Sequence, residues 1–374
     1  MNYLKGAIRA ALCGAAFTSV AAGQAAIAGE NKPYKIFLSM SYVGNDWQAQ
    51  AQNMVTAMAK AHPKEVDLQI QVAGPVAQKQ IQQINAMVQA GADAIIVYPI
   101  SPTALNSAIK NACSKGVKVF AYDSSVTEEC AYNVVTDQAA LATESAEWVA
   151  KKMGGKGNLL FMTGVPGTSV DKTRNEAARA VFAKYPDIKI VAEPNGMWSQ
   201  AIARKALTEV MSTMSWENIQ GVWGATACVQ TWSLQIEAGL KSLVPCGAEG
   251  TNGMRVMMLP EGAIEGAAPP YAPMSAPGIS LESHPGAGAM ALKLALDALE
   301  GKDVPKTTLM PLEAVTSENA KLCKTGSFEE LSNGCNVFDP GLVPSGWFAN
   351  IANTATPEIG FQAALVGQPE AVAP

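Results

Sequence analysis

Short apolar, β-rich runs alternate with helical patterns along most of the chain. The runs at 34–40, 67–72, 94–98, 117–122, 158–162, 188–191 and 221–223 predict strands. Between them, apolar residues recur at helical spacing. Ile81, Ile84, Met87 and Val88 mark one helix; Ala203, Ala206, Leu207, Val210, Met211 and Met214 mark another. Leu292, Ala295, Leu296 and Leu299 mark a late helix, and Gly301 is its stop signal. The strand runs are apolar throughout, as expected where helices cover both faces of a sheet. Strictly alternating strands and helices predict an α/β fold with parallel sheets built from right-handed βαβ units. Residues 153–157 (MGGKG) interrupt this grammar, which then restarts as a second α/β domain. The Pro- and Gly-rich span 262–278 reads as a loop or crossover, and the tail after Glu318 as irregular.

Composition narrows the class. The chain has 374 residues, enough for two domains of about 100–200 residues each. A 48% hydrophobic and 16% charged composition supplies sizeable cores and argues against disorder. The net charge of -5 carries no basic nucleic-acid footprint. Lys5 and Arg9 precede an uncharged stretch, 10–28, that ends in Ala26-Ile27-Ala28. This predicts a signal peptide over 1–28 and export to the periplasm. Gly14, Thr18, Ser19, Gly23 and Gln24 make the stretch a poor bilayer span.

Of seven cysteines, Cys13 falls in the leader and six remain. An even number in an oxidising compartment favours disulfides. Sequence proximity suggests Cys113–Cys130, Cys228–Cys246 and Cys323–Cys335, one of 15 possible connectivities. No CxxC is present, and the two histidines, His62 and His284, are far apart, so no metal site and no cofactor are expected. Both histidines precede prolines and read as capping or surface groups. Gly164-Val165-Pro166-Gly167 lacks the Lys-Ser/Thr of a phosphate loop, and no GxSxG elbow occurs.

Ligands of open parallel sheets bind beyond the carboxyl ends of the strands. The residues that follow the predicted strands are therefore the candidates. Ser41, Asn45 and Trp47 follow the first; Tyr98 ends the third; Asp123 and Ser124 follow the fourth. Further on stand Arg174, Trp198, Thr226 and Glu249. The charged and amide groups can make directional hydrogen bonds. The tryptophans offer flat apolar faces. A sugar needs both, for its hydroxyl edge and its C–H faces. Each residue also has a plainer reading: Asp123 as a turn acid, Arg174 as a helix-surface cation, Glu249 as a loop acid, and the aromatics as core.

Three segments carry a resemblance: GVKVFAYDSSV around Asp123, GVPGTSVDKTRNEAARAVF around Arg174, and GAEGTNG around Glu249. In their order and spacing the chain resembles the ribose-binding-protein family, the type I periplasmic substrate-binding proteins of ABC transporters, from Tyr34 to about Thr316. The resemblance implies two Rossmann-like lobes joined by a three-stranded hinge and closing over one sugar. Residues 33–136 and 281–311 would form the N-terminal lobe. Residues 137–280 and 312–374 would form the C-terminal lobe and tail. It also implies that Trp47 and Trp198 stack on the sugar while Asp123 and Arg174 hold its oxygens. The sequence departs from the family pattern at four points: Ser124 replaces an arginine of ribose binders, Thr226 a common asparagine, Glu249 an aspartate, and Ser283 a late glutamine. These departures remove several donors and leave another pentose, a hexose, a deoxy-sugar or a polyol open.

The expected function is capture of a small sugar or polyol by a monomer, for delivery to a membrane permease, without catalysis. The same fold could serve a chemoreceptor or sensor, or bind a nucleoside, a signalling furanose or an amino-acid derivative. An exported sugar-modifying enzyme would need Asp123 and Glu249 as a carboxylate pair.

Overall fold

The computed structural model describes residues 33–41 and 43–371. The expected leader and Cys13 lie outside the described residues. The chain begins with β1 (Tyr34–Met40), α1 (Asp46–Ala61), β2 (Val66–Val72), α2 (Ala77–Gln89), β3 (Ala94–Tyr98), α3 (Asn106–Ser114), β4 (Lys118–Tyr122) and β5 (Tyr132–Val135). A second series follows: α4 (Gln138–Lys152), β6 (Lys156–Phe161), α5 (Ser169–Phe182), β7 (Asp187–Ala192), α6 (Gln200–Met211), β8 (Gly221–Trp223), α7 (Ala227–Glu237), β9 (Cys246–Ala248), α8 (Asn252–Met258) and β10 (Gly278–Leu281). The chain then returns through α9 (Ala287–Leu299), β11 (Thr307–Leu309) and β12 (Ala314–Thr316).

Two six-stranded sheets result. The first runs β11-β5-β4-β3-β1-β2 and is parallel throughout. The second runs β12-β10-β9-β8-β6-β7, with only β12 antiparallel. Each sheet is the heart of one lobe. Every residue of β3 is buried, as its unbroken apolar run requires. Helix α9 packs on the first lobe, burying Leu292, Ala295 and Leu296 against a core that includes Ile96 and Phe120. A fully buried leucine contributes about 1.5–3 kcal/mol. The chain passes between lobes at β5–α4, at β10–α9 and at β11–β12.

Strand β5, strand β10 and the closing strands were not legible as apolar runs, because polar residues interrupt them: Asn133, Ser280, Thr307, Thr308 and Thr316.

The tail forms β13 (Leu322–Cys323), α10 (Phe328–Ser332), β14 (Val337–Phe338) and α11 (Phe361–Val366). The resemblance placed 312–374 in the second lobe with its tail. The tail touches both lobes: β14 packs on α8, and α11 packs on α1. Three bridges join Cys113–Cys130, Cys228–Cys246 and Cys323–Cys335 across separations of 17, 18 and 12 residues. Loops of this size contribute about 3 kcal/mol each in the chain-entropy account. Among the described residues, no helix is long and apolar enough to cross a membrane.

Candidate ligand-binding site

The carboxyl ends of both sheets face one narrow cleft. From the first lobe come Asn45, Trp47, Tyr98 and Asp123; from the second, Arg174, Trp198 and Glu249; from the β10–α9 crossover, Ser283.

Asn45 owes its place to α1. It is the N-cap, accepting from Gln48 N–H, while the Gln48 side chain accepts from Asn45 N–H. This reciprocal capping fixes the entry of the helix. It leaves the Asn45 amide nitrogen facing the carbonyl of Trp198 at 3.5 Å across the cleft. Trp47, the second residue of α1, donates its indole N–H to Ser283 O at 2.9 Å. Its ring lies 5.7 Å from Tyr98, which stacks on Tyr122 at 5.4 Å. The first-lobe wall is thus a fixed aromatic tier.

Asp123 follows β4 with a positive φ of 59°. Ser124 N–H bonds back to Tyr122 O at 2.7 Å, closing a tight turn that leaves Asp123 on the cleft wall. Burial pushes the Asp123 carboxyl up to about 6, against the pull of Arg174. Met197, Trp198 and Ala225 also have positive φ, so four of the five such non-glycine residues among those described lie at or beside the cleft. Backbone of this kind costs about 1–3 kcal/mol per residue and concentrates at functional sites. The Trp198 ring rests on Gly164, where a Cβ would stand 2.3 Å from the indole.

Arg174 is the centre of the polar network. Its Nη1 and Nη2 donate to the two oxygens of Glu249 at 2.7 and 3.0 Å. Its Nε donates to Gln138 Oε1 at 2.8 Å, and Nη2 also to Ser283 Oγ at 2.9 Å. Burial would lower the pKa of Arg174, but the charge and hydrogen bonds of Glu249 raise it above its ordinary value. Ser283 N–H donates to Glu249 at 3.1 Å. Glu249 therefore orients Arg174 with both oxygens.

Ser41, Ser124 and Thr226 are buried but do not line this space. Thr226 caps α7 by position, and Ser124 is turned away by the Asp123 turn. Four participants escaped the sequence: Gln48 and Val170, which line the cleft, and Gln138 and Phe348. Gln138 opens α4 just past the first crossover and donates to Asp123 at 3.4 Å and to Ser283 Oγ at 2.9 Å. It follows β5, whose apolar run is broken by Asn133. Phe348 comes from the tail. His284 is a buried crossover residue and not a surface group. Its Nδ1 accepts Gly286 N–H at 3.0 Å, and burial holds its pKa down at about 4. His62 is the C-cap of α1. Among the described residues no cluster could hold a metal ion.

Two parallel-sheet lobes, three crossovers and one cleft define the type I periplasmic binding protein fold. The chain belongs to the periplasmic binding protein domain family, whose model matches residues 36–303. It is 30% identical over 174 residues to a xylitol-binding protein of Mycolicibacterium smegmatis, covering 46% of this chain and 50% of that one. A galactofuranose-binding protein of Escherichia coli is 25% identical over 214 residues, 54% of this chain and 67% of its own length. The chain thus spans half the length of the first relative and about two thirds of the second. A solved ABC transporter solute binding protein from Thermobispora bispora superposes with TM-score 0.64 at 26% identity, covering 83% of this chain and 98% of that one.

Proposed function

We propose that this chain is an exported, monomeric solute-binding protein that captures a small sugar or polyol between its lobes and presents it to the permease of an ABC importer. The observation that carries the reading is the pairing of chemistries in one cleft. Asp123 and Arg174 are buried, polar and fixed, while Trp47, Tyr98 and Trp198 supply apolar faces. Hydroxyls pair with the first set and C–H faces lie on the second. The names of the relatives, a xylitol binder and a galactofuranose binder, support the same solute class. Lys5, Arg9 and the uncharged stretch 10–28 support export. In this reading the Glu249 oxygens, committed to Arg174 and Ser283, orient donors and do no proton transfer. No catalysis and no nucleic acid enter. Solute favours the closed arrangement because only there do both lobes contact it.

A thermal-shift screen of the unfolded and refolded mature protein tests this. The probes are xylitol, D-arabinose, D-allose, myo-inositol, L-glutamate and adenosine. A solute at 100 times its Kd stabilises by about 2.7 kcal/mol. A rise in Tm with a carbohydrate or polyol is expected, with affinity at least tenfold weaker in Asp123→Asn. A rise with L-glutamate or adenosine alone overturns the sugar reading.

A further inference from the structure

The tail lies beyond the family match, which ends at residue 303. It is nonetheless anchored by dedicated buried groups. On the second lobe, Asn252 Nδ2 donates to Phe338 O at 2.9 Å and Val343 O at 3.2 Å, and Gly253 N–H donates to Ser345 O at 2.8 Å. Asn252 N–H donates to Trp347 O. One residue later the partners change lobe. Gln50, on α1 of the first lobe, takes Phe348 N–H at 2.8 Å on Oε1 and gives Nε2–H to Phe348 O at 2.9 Å. Glu282, in the β10–α9 crossover, accepts from Ala349 N–H at 3.1 Å and Asn350 N–H at 3.0 Å. The tail therefore makes a fourth passage between lobes, at Trp347–Phe348, beside the second crossover.

The side chain at that passage is Phe348. It is 5% exposed and lines the same cleft as Trp47, Asp123 and Arg174. Gln50 holds both its N–H and its C=O, and Glu282 holds the next two N–H groups; these side chains are 1% and 0% exposed. Buried polar groups of this kind are expensive unless satisfied, so Gln50 and Glu282 fix the ring's position tightly. The ring therefore forms a rigid apolar wall of the cleft that also holds Ser283 of the crossover.

We propose that Phe348 is a specificity-determining residue of the cleft, supplied by the tail, which selects among small polyhydroxylated solutes by closing the crossover end. This rests on the solute-binding reading above and refines it. A mere core phenylalanine would affect all solutes alike through stability. A selective wall would change their order.

The test uses the full mature chain and its Phe348→Ala and Phe348→Leu variants, the second keeping an apolar side chain so that folding is retained. Calorimetric titrations with xylitol, D-arabinose, D-allose, myo-inositol, maltose, L-glutamate and adenosine give the affinities, and melting curves report the fold. The best-bound probe is expected to lose at least tenfold in Phe348→Ala, and the ratio of five-carbon to six-carbon affinities to change at least fivefold in either variant. Unchanged affinities, or equal losses for every probe, overturn the proposal. If the parent binds only L-glutamate or adenosine, the sugar reading fails by itself, and tenfold weakening of that probe in Phe348→Ala still decides the role of Phe348. A parent that binds nothing overturns both.

Discussion

Arg174 directs four of its five N–H groups to Glu249, Gln138 and Ser283; in the proposed reading the remaining Nη1–H serves the solute. Removing it strands Glu249, whose side chain is 9% exposed. Breaking a buried pair in this way costs about 3–5 kcal/mol. Arg174→Ala is therefore expected to lose stability of that order in urea unfolding, along with at least tenfold in solute affinity; an unchanged midpoint would refute the account. Asp123 gives a pH signature. Its folded pKa of about 6 lies above an unfolded value of about 3.9, so the protonated form is favoured in the fold. Its stabilising contribution is full below about pH 3.9 and is lost as pH rises through 6. Hydroxyl acceptance needs the opposite, ionised form. Affinity for a bound sugar is expected to fall as pH drops below 6 and to lose this step in Asp123→Asn. Identical pH profiles for parent and variant would remove Asp123 as the acceptor.

The elements explain which parts of the site could be read in advance. Strands β1, β3 and β4 are apolar runs of five to seven residues, and the candidates after them include Trp47, Tyr98 and Asp123 of the cleft. Gln138 stayed hidden because Asn133 interrupts β5 and the burial pattern of that strand is broken. Phe348 stayed hidden because its neighbours have neither strand nor helix period, and its position depends on side chains 298 residues away in sequence. Periodicity reports local burial, and these two residues are placed by long-range hydrogen bonds. The β6–α5 turn offers a test at this scale. A Cβ at Gly164 would stand 2.3–2.6 Å from three indole atoms of Trp198. Gly164→Ala is expected to displace that ring, change the tryptophan emission and weaken solute binding about as much as Trp198→Ala. The double variant should be no weaker than either single one, and additive losses would separate the two residues.

Across the whole molecule, the β10–α9 crossover joins both lobes to the tail and carries two opposed titrations. Burial pushes Glu282 up to about 7 against the pull of Arg255, and holds His284 down at about 4. The Glu282 contribution is full below its unfolded pKa of about 4.3 and is lost as pH rises through 7. That of His284 is full above about 6.5 and is lost as pH falls through 4. Between these limits they offset each other. His284→Asn removes one side, so its stability should decline more steeply than the parent's from pH 4.5 to 6.5; parallel unfolding curves would exclude the histidine from this balance. The disulfides carry a different consequence. Each joins consecutive cysteines, and none nests inside or crosses another. On the proposed export route, with Cys13 set aside in the leader, a chain threaded N-terminus first into an oxidising compartment presents each correct partner next in line, before any wrong one from a later pair has emerged. An oxidant that simply links thiols in order of arrival would suffice, and a catalyst of disulfide shuffling would have nothing to correct.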